Sequence, residues 1–154
     1  YTLDVKKILS DESDKYLEKC LNELVAINND FVIITTSCLE GTSKIDLNHF
    51  CKKDECIEDV SNIINNKIAK LFIRFNKKVV PNCVYTSGGD TTVEFLNLAG
   101  SYGLRMNSEI LPLTVESKIL GGEFEGLSIV SKGGLIGDEE TIMYIYNYMK
   151  VGKK

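Results

Sequence analysis

Two short stretches hold the residues whose types and spacing could do chemistry: Gly88-Gly89-Asp90-Thr91 and Lys132-Gly133-Gly134-Leu135-Ile136-Gly137. Each follows an apolar run and precedes a helix-like pattern. Glycine lets a turn take positive φ and lets a ligand reach backbone N–H groups that a Cβ would shield. The helix behind such a turn adds unpaired N–H donors and the positive end of its dipole. Two such turns at one edge of one sheet would make a phosphate cradle. In that cradle Gly88 and Gly89 offer backbone donors, and Asp90 orients a nucleotide or holds a water of its magnesium ion. Thr91 caps the helix or donates its hydroxyl. Lys132 offsets phosphate charge, while Gly133, Gly134 and Gly137 permit close approach. Asp90 and Lys132 are also the candidates for a catalytic role. The plainer reading is a pair of tight turns with helix caps, since Asp and Thr are favoured caps anyway. Neither stretch matches the P-loop or Gly-x-Gly-x-x-Gly. Spacing alone therefore stops at a phosphate or nucleotide site of no defined class.

Such turns need strands before them and helices behind them. Phe31 to Thr36 is an unbroken β-branched and aromatic run, the pattern of a strand buried on both faces. Asp54 to Phe75 reads as the longest helix, with Ile57, Val60, Ile63, Ile64, Ile68, Leu71, Phe72 and Phe75 in one stripe. Pro81-Asn82 breaks the chain, and Val84-Tyr85 enters the next strand. Strand, helix and strand make a βαβ unit, parallel and right-handed. Ahead of it, Ser10 to Ala26 is a helix with Leu17, Cys20, Leu21, Leu24 and Val25 at helical spacing. The helix after the first glycine pair has Thr91 and Glu94 as a capping box and Gly100 as its stop. Arg105 to Leu111 leads as a strand to Pro112. Ser117 to Leu120, Gly121-Gly122 and Leu127 to Ser131 read as strand, turn and strand. Asp138-Glu139-Glu140 suit the first turn of a last helix, with Ile142, Ile145, Tyr146 and Met149 as its apolar face. Ser37 to His49 is a polar loop whose hydroxyls could reach a ligand. The fold class is α/β, three-layer α/β/α with a mostly parallel, mixed sheet, and one domain over residues 1–154.

Composition narrows the partners. The chain has 154 residues and 44% apolar content, enough for a core without staples. Its net charge is −4 with no Lys/Arg run, which argues against nucleic acid. The longest apolar runs are too short to cross a bilayer, which argues against a membrane partner. Of the five cysteines, Cys51 and Cys56 lie near His49, but no fourth ligand stands at metal-finger spacing, so no metal site is assigned. Reduced thiols in a cytoplasmic protein are the ordinary reading. Tyr1 to Val5 looks like the tail of a strand with no initiator methionine. The sequence reads as a fragment of something longer.

At these residues the chain resembles the C-terminal, nucleotide-binding domain of the four-carbon acid sugar kinases. That family carries a Gly-Gly-Asp-Thr turn after a strand, then Glu-Ile-x-Pro-Gly, a Gly-Gly turn, a strand, and Lys-Ser/Ala-Gly-Gly-Phe-Gly entering the last helix. Here the same order reads Gly88-Gly89-Asp90-Thr91, Glu109-Ile110-Leu111-Pro112, Gly121-Gly122 and Lys132 to Asp138. Leu113 stands where the family usually has glycine, Gly133 replaces serine or alanine, and Leu135-Ile136 replaces Gly-Phe. The resemblance implies ATP with Mg²⁺ as cofactor, held at Gly88 to Thr91 and at the glycines after Lys132. It implies phosphorylation of a four-carbon sugar acid such as threonate, erythronate or oxo-tetronate. In that family the sugar acid is held largely by a separate N-terminal domain, so the chain would be a C-terminal fragment lacking that domain and its own first strand, inactive by itself. A homo-oligomer is an assembly this reading allows. Two other readings stand beside it: a nucleotide- or anion-binding module without chemistry, and a Rossmann-like oxidoreductase domain. The latter would need a glycine fingerprint after the first strand and an acidic residue about twenty further on.

Overall fold

The computed structural model describes residues 1–36, 45–134 and 136–151. They belong to two compact units, Tyr1–Val79 and Val80–Lys154.

In the first unit, strand β1 (Thr2–Leu3) leads into a single helical turn, α1 (Val5–Ile8). The Asp4 carboxylate starts that turn by accepting the Lys6 N–H at 2.9 Å. Helix α2 (Ser13–Val25) and helix α3 (Ile57–Lys78) supply most of the core. Leu17, Cys20, Leu21 and Leu24 are buried with Leu3, Val5, Ile8, Val60, Ile64, Leu71 and Phe75. The expected stripes hold at these positions, whereas Val25, Ile57 and Ile63 are exposed. A second row on α3, Ala69, Ile73 and Asn76, is also buried. Lys67 reaches Asp14 at 2.7 Å, and Arg74 pairs with Glu18, tying α3 to α2. Cys56 precedes α3, its N–H bonded to Asp59 at 2.8 Å, so this cysteine sits at a helix start.

Strand β2 is only Thr35–Thr36 and pairs in parallel with β1. The expectation of a strand over Phe31–Thr36 buried on both faces is not met, since Ile33 is 44% exposed. Among the described residues its strand neighbour is the two-residue β1, too short to pair the whole run. The polar loop from Ser37 lies mostly outside the described residues; its end forms a 3-10 turn, Leu47–Phe50, with His49 at 3.4 Å from Asp46.

The second unit contains β3 (Cys83–Ser87), α4 (Gly89–Leu98), β4 (Gly103–Leu111), β5 (Thr114–Leu120), β6 (Ser128–Lys132) and α5 (Thr141–Val151). Its sheet order is β3-β6-β5-β4, with β3 and β6 parallel and the other neighbours antiparallel. The fold is α/β with a mixed sheet. Successive residues of a strand face opposite sides. Thr86 pairs with Ser131 and Ser131 with Val115, so these three share one face and Glu116 lies on the other. Thr92 of α4 bonds Thr86, and Tyr148 of α5 bonds Glu116 at 2.9 Å. The two helices therefore cover opposite faces, giving the three layers within this unit.

The end of α4 closes as its sequence suggests. Gly100 takes φ +72°, and Ser101 N–H returns to the Leu96 carbonyl at 3.0 Å. A Cβ on Gly122 would meet the Ala99 carbonyl at 2.2 Å, so the Gly121-Gly122 turn seats against this helix end.

Candidate functional site

Strands β3 and β6 run side by side in register from Cys83 opposite Ser128 to Ser87 opposite Lys132. Both end at that last pair, and both pass at once into glycine. Gly88 donates its N–H to the Lys132 carbonyl at 3.0 Å. A Cβ on Gly134 would lie 3.8 Å from the Gly88 Cα, so the two turns are in contact. A third turn reaches the same end. Thr114 opens β5 opposite Lys132, and the Leu113 carbonyl just before it accepts the Gly133 N–H at 3.1 Å. Residues 88–91, 112–113, 133–134 and 136–137 thus meet at the carboxyl end of the parallel pair. Ligands of open α/β sheets bind at such ends.

The first turn is built around Gly88, whose φ is +104°. Gly88 is the N-cap residue of α4 and brings no capping side chain. Gly89 and Asp90 occupy the first two helical positions, where N–H groups have no partner one turn back. Gly89 and Asp90 are exposed, and nothing stands within 4 Å of where a Gly89 Cβ would be. The Asp90 carboxylate complements the positive helix end. Thr91 falls at the third position of the helix, so the expected cap at Thr91 is displaced to Gly88. The brace of this turn is instead Thr92, buried at 8% exposure. Its hydroxyl lies 2.8 Å from the Gly88 carbonyl and 2.9 Å from the Thr86 hydroxyl. These two threonines lock strand end to helix start.

In the second turn Lys132 is buried, and its Nζ donates to the carbonyls of Gly133 at 2.6 Å and Ile136 at 2.5 Å. The Gly134 carbonyl is 3.4 Å away. The ammonium expected to meet phosphate thus faces its own loop. Leu135 lies outside the described residues. Gly137 takes φ +101°, and a Cβ there would meet the Thr141 hydroxyl at 2.6 Å. Helix α5 starts at Thr141, later than the expected Asp138. Asp138 instead receives the Thr141 hydroxyl at 2.9 Å and the Glu140 N–H at 3.1 Å. These two bonds hold its carboxyl below the usual carboxylate range. On α5 Ile145 is buried and Ile142 is 38% exposed, so Thr141 rather than Ile142 faces inward.

The fold therefore brings Gly88, Gly89, Asp90, Thr91, Lys132, Gly133, Gly134 and Gly137 to one end of one sheet. Sequence reasoning missed Thr86, Thr92 and Thr141, each of which holds a turn by its hydroxyl. The alternation of the buried strand Val84–Thr86, followed by a helix one turn later at Thr92, was the signal that could have found the first two. Among the described residues no group of three or more His, Cys, Asp or Glu gathers as a metal site. No helix of the described residues is long and apolar enough to cross a membrane.

Known proteins resemble this chain in sequence or in fold. A D-erythronate kinase from Heliobacterium modesticaldum is 33% identical over 66 residues, 43% of this chain and 15% of the kinase. A Haemophilus influenzae protein of the DUF1537 family superposes with TM-score 0.73 at 21% identity, covering 97% of this chain and 34% of that one. A Bordetella bronchiseptica DUF1537 domain, described as a domain-swapped dimer with bound citrate, has TM-score 0.69 at 15% identity over 97% of this chain and 32% of its own. The chain thus spans about a third of the solved chains and a smaller share of the kinase. Residues 1–142 match the model of the nucleotide-binding C-terminal domain, and with the glycine turns, their strands and their helices in place, the chain belongs to that family.

Proposed function

We propose that this chain is the ATP-holding part of a kinase that phosphorylates a four-carbon sugar acid of the threonate, erythronate or oxo-tetronate type. The observation that carries this reading is the shared end of β3 and β6, where Ser87 and Lys132 stand opposite each other and both strands enter glycine. The kinase likeness adds the substrate class. ATP would supply the phosphoryl group that is transferred. The chain's own part is to hold and orient it: N–H groups of Gly89 and Asp90 at the α4 start, and of Gly134 and Gly137 in the second turn, are suited to phosphate oxygens. Gly134 leaves open the gap beside Gly88 that a larger side chain would fill. Magnesium bound to phosphates takes few protein ligands, which suits an exposed Asp90 beside the turn. The sugar acid would sit on another domain of a cytoplasmic enzyme, and self-association into a homo-oligomer fits the swapped dimer described for the Bordetella relative.

Gly134→Val and Asp90→Ala are each expected to lower ATP affinity or turnover of the full-length enzyme by at least about tenfold, as loss of one preorganised donor or ligand commonly does. ADP release with a panel of four-carbon acids measures this, and wild-type kinetics for both variants would refute the assignment. The inward-facing Lys132 ammonium favours a second reading, a nucleotide- or anion-binding module without chemistry. It predicts ATP binding by thermal shift with no ADP released for any acid in the panel.

A further inference from the structure

The Lys132 side chain is the buried cation of this site, with the residue 9% exposed. An ammonium has three hydrogens, and it faces the carbonyls of Gly133, Gly134 and Ile136. The described chain has no cis peptide, so each N–H points opposite to the carbonyl of its own peptide plane. An inward Gly133 carbonyl therefore turns the Gly134 N–H outward, and an inward Ile136 carbonyl does the same for Gly137. Among the described residues neither N–H meets an acceptor. Remove the cation and the carbonyls repel one another, while Gly133 and Gly134 present no Cβ to resist rotation of the planes.

We infer that Lys132 is a positioning residue, an internal clamp that aims the Gly134 and Gly137 amides, and not a ligand of phosphate. The consequence for binding rests on the nucleotide reading above; the clamp itself does not. In nucleotide-free protein labelled with ¹⁵N-glycine, Lys132→Met is expected to lower the order parameters of Gly134 and Gly137 from about 0.85 to below about 0.6. Lys132→Arg, which keeps a cation in the slot, is expected to restore part of that order and part of the ATP affinity lost in Lys132→Met. Unchanged order parameters in Lys132→Met would overturn the inference. Should that variant lose its fold, the wild-type ammonium decides. With ¹⁵N-lysine label, its protons are expected to exchange slowly both without and with ATP–Mg²⁺, and fast exchange in the nucleotide-free protein would overturn the clamp. Wild-type protein whose Gly88, Gly89 and Gly134 signals ignore ATP–Mg²⁺ sinks the nucleotide reading and leaves the order parameters to judge the lysine alone.

Discussion

Leu113 takes φ +55°, a conformation that costs a non-glycine residue about 1–2 kcal/mol. It follows Pro112 in the two-residue connection from β4 to β5, and positive φ at the second central residue is what a turn led by proline asks of glycine. The side chain is 63% exposed and recovers little by burial. Leu113→Gly is therefore expected to stabilise the fold by about 0.5 kcal/mol, the relief of strain being offset in part by glycine's added freedom when unfolded. Urea unfolding measures it, and a clear loss of stability in that variant would show that the leucine packs in a way its exposure hides. The glycines of the two main turns were legible because the residue type itself reports on φ and on close approach. Leu113 was not, because nothing about a leucine announces a left-handed backbone. Lys132 was legible as a cation beside a turn, but the direction of its ammonium depends on where three carbonyls of the loop point, and no residue type records that.

At the scale of elements, the joint between β3 and α4 rests on the hydroxyl of Thr92. Thr92→Val keeps the shape and removes two hydrogen bonds, leaving the Gly88 carbonyl and the Thr86 hydroxyl without that partner. A loss of about 1–2 kcal/mol is expected in chemical denaturation. The double variant with Thr86→Val should lose less than the sum of the single changes, because one of the stranded groups is then gone. A Thr92→Val protein as stable as wild type would dismiss the brace. Helices α2 and α3, strands β3, β5 and β6, and the stop at Gly100 could all be read from periodicity and glycine placement. The starts of α4 and α5 could not be placed to the residue, since Asp, Thr and Glu near a helix start serve as caps or as first-turn residues equally well. The fate of Phe31–Thr36 was also hidden. An apolar run proposes a strand, but its neighbours come from distant sequence, and here β1 offers only two residues of pairing.

Across the second unit as a whole, the layers leave Cys83 partly buried on β3, on the face of the sheet that also carries Glu116. Burial, reinforced by that carboxylate, pushes the Cys83 thiol up from its ordinary 9.0 to about 11. A folded-state value above the unfolded one means the folded chain holds the proton more tightly. The associated stability is complete below pH 9.0 and drains away as the pH climbs to about 11. Cys83→Ala lacks this contribution, so its Tm is expected to fall less than that of the wild type between those two pH values. Parallel Tm curves for the two proteins over that range would show that the thiol does not titrate against folding. The α/β class and the layering were readable from the alternation of strand and helix patterns. A mixed sheet was expected as well, but the strand order β3-β6-β5-β4 was not legible, because it is decided by which strand ends up beside which.

The unbroken ladders on both sides of β6 set it apart from β4, whose pairing with β5 shifts register between Met106 and Ser108 and again between Glu109 and Leu111. Side chains alternate across a sheet, so one residue gained or lost within β6 would send Lys132 to the opposite face and pull its cation out of the loop it gathers. An edge strand that already carries bulges absorbs such a change locally. Descendants of this chain can thus vary in length along one margin of the sheet, while the segment from Ser128 to Lys132 must be inherited with its residue count intact.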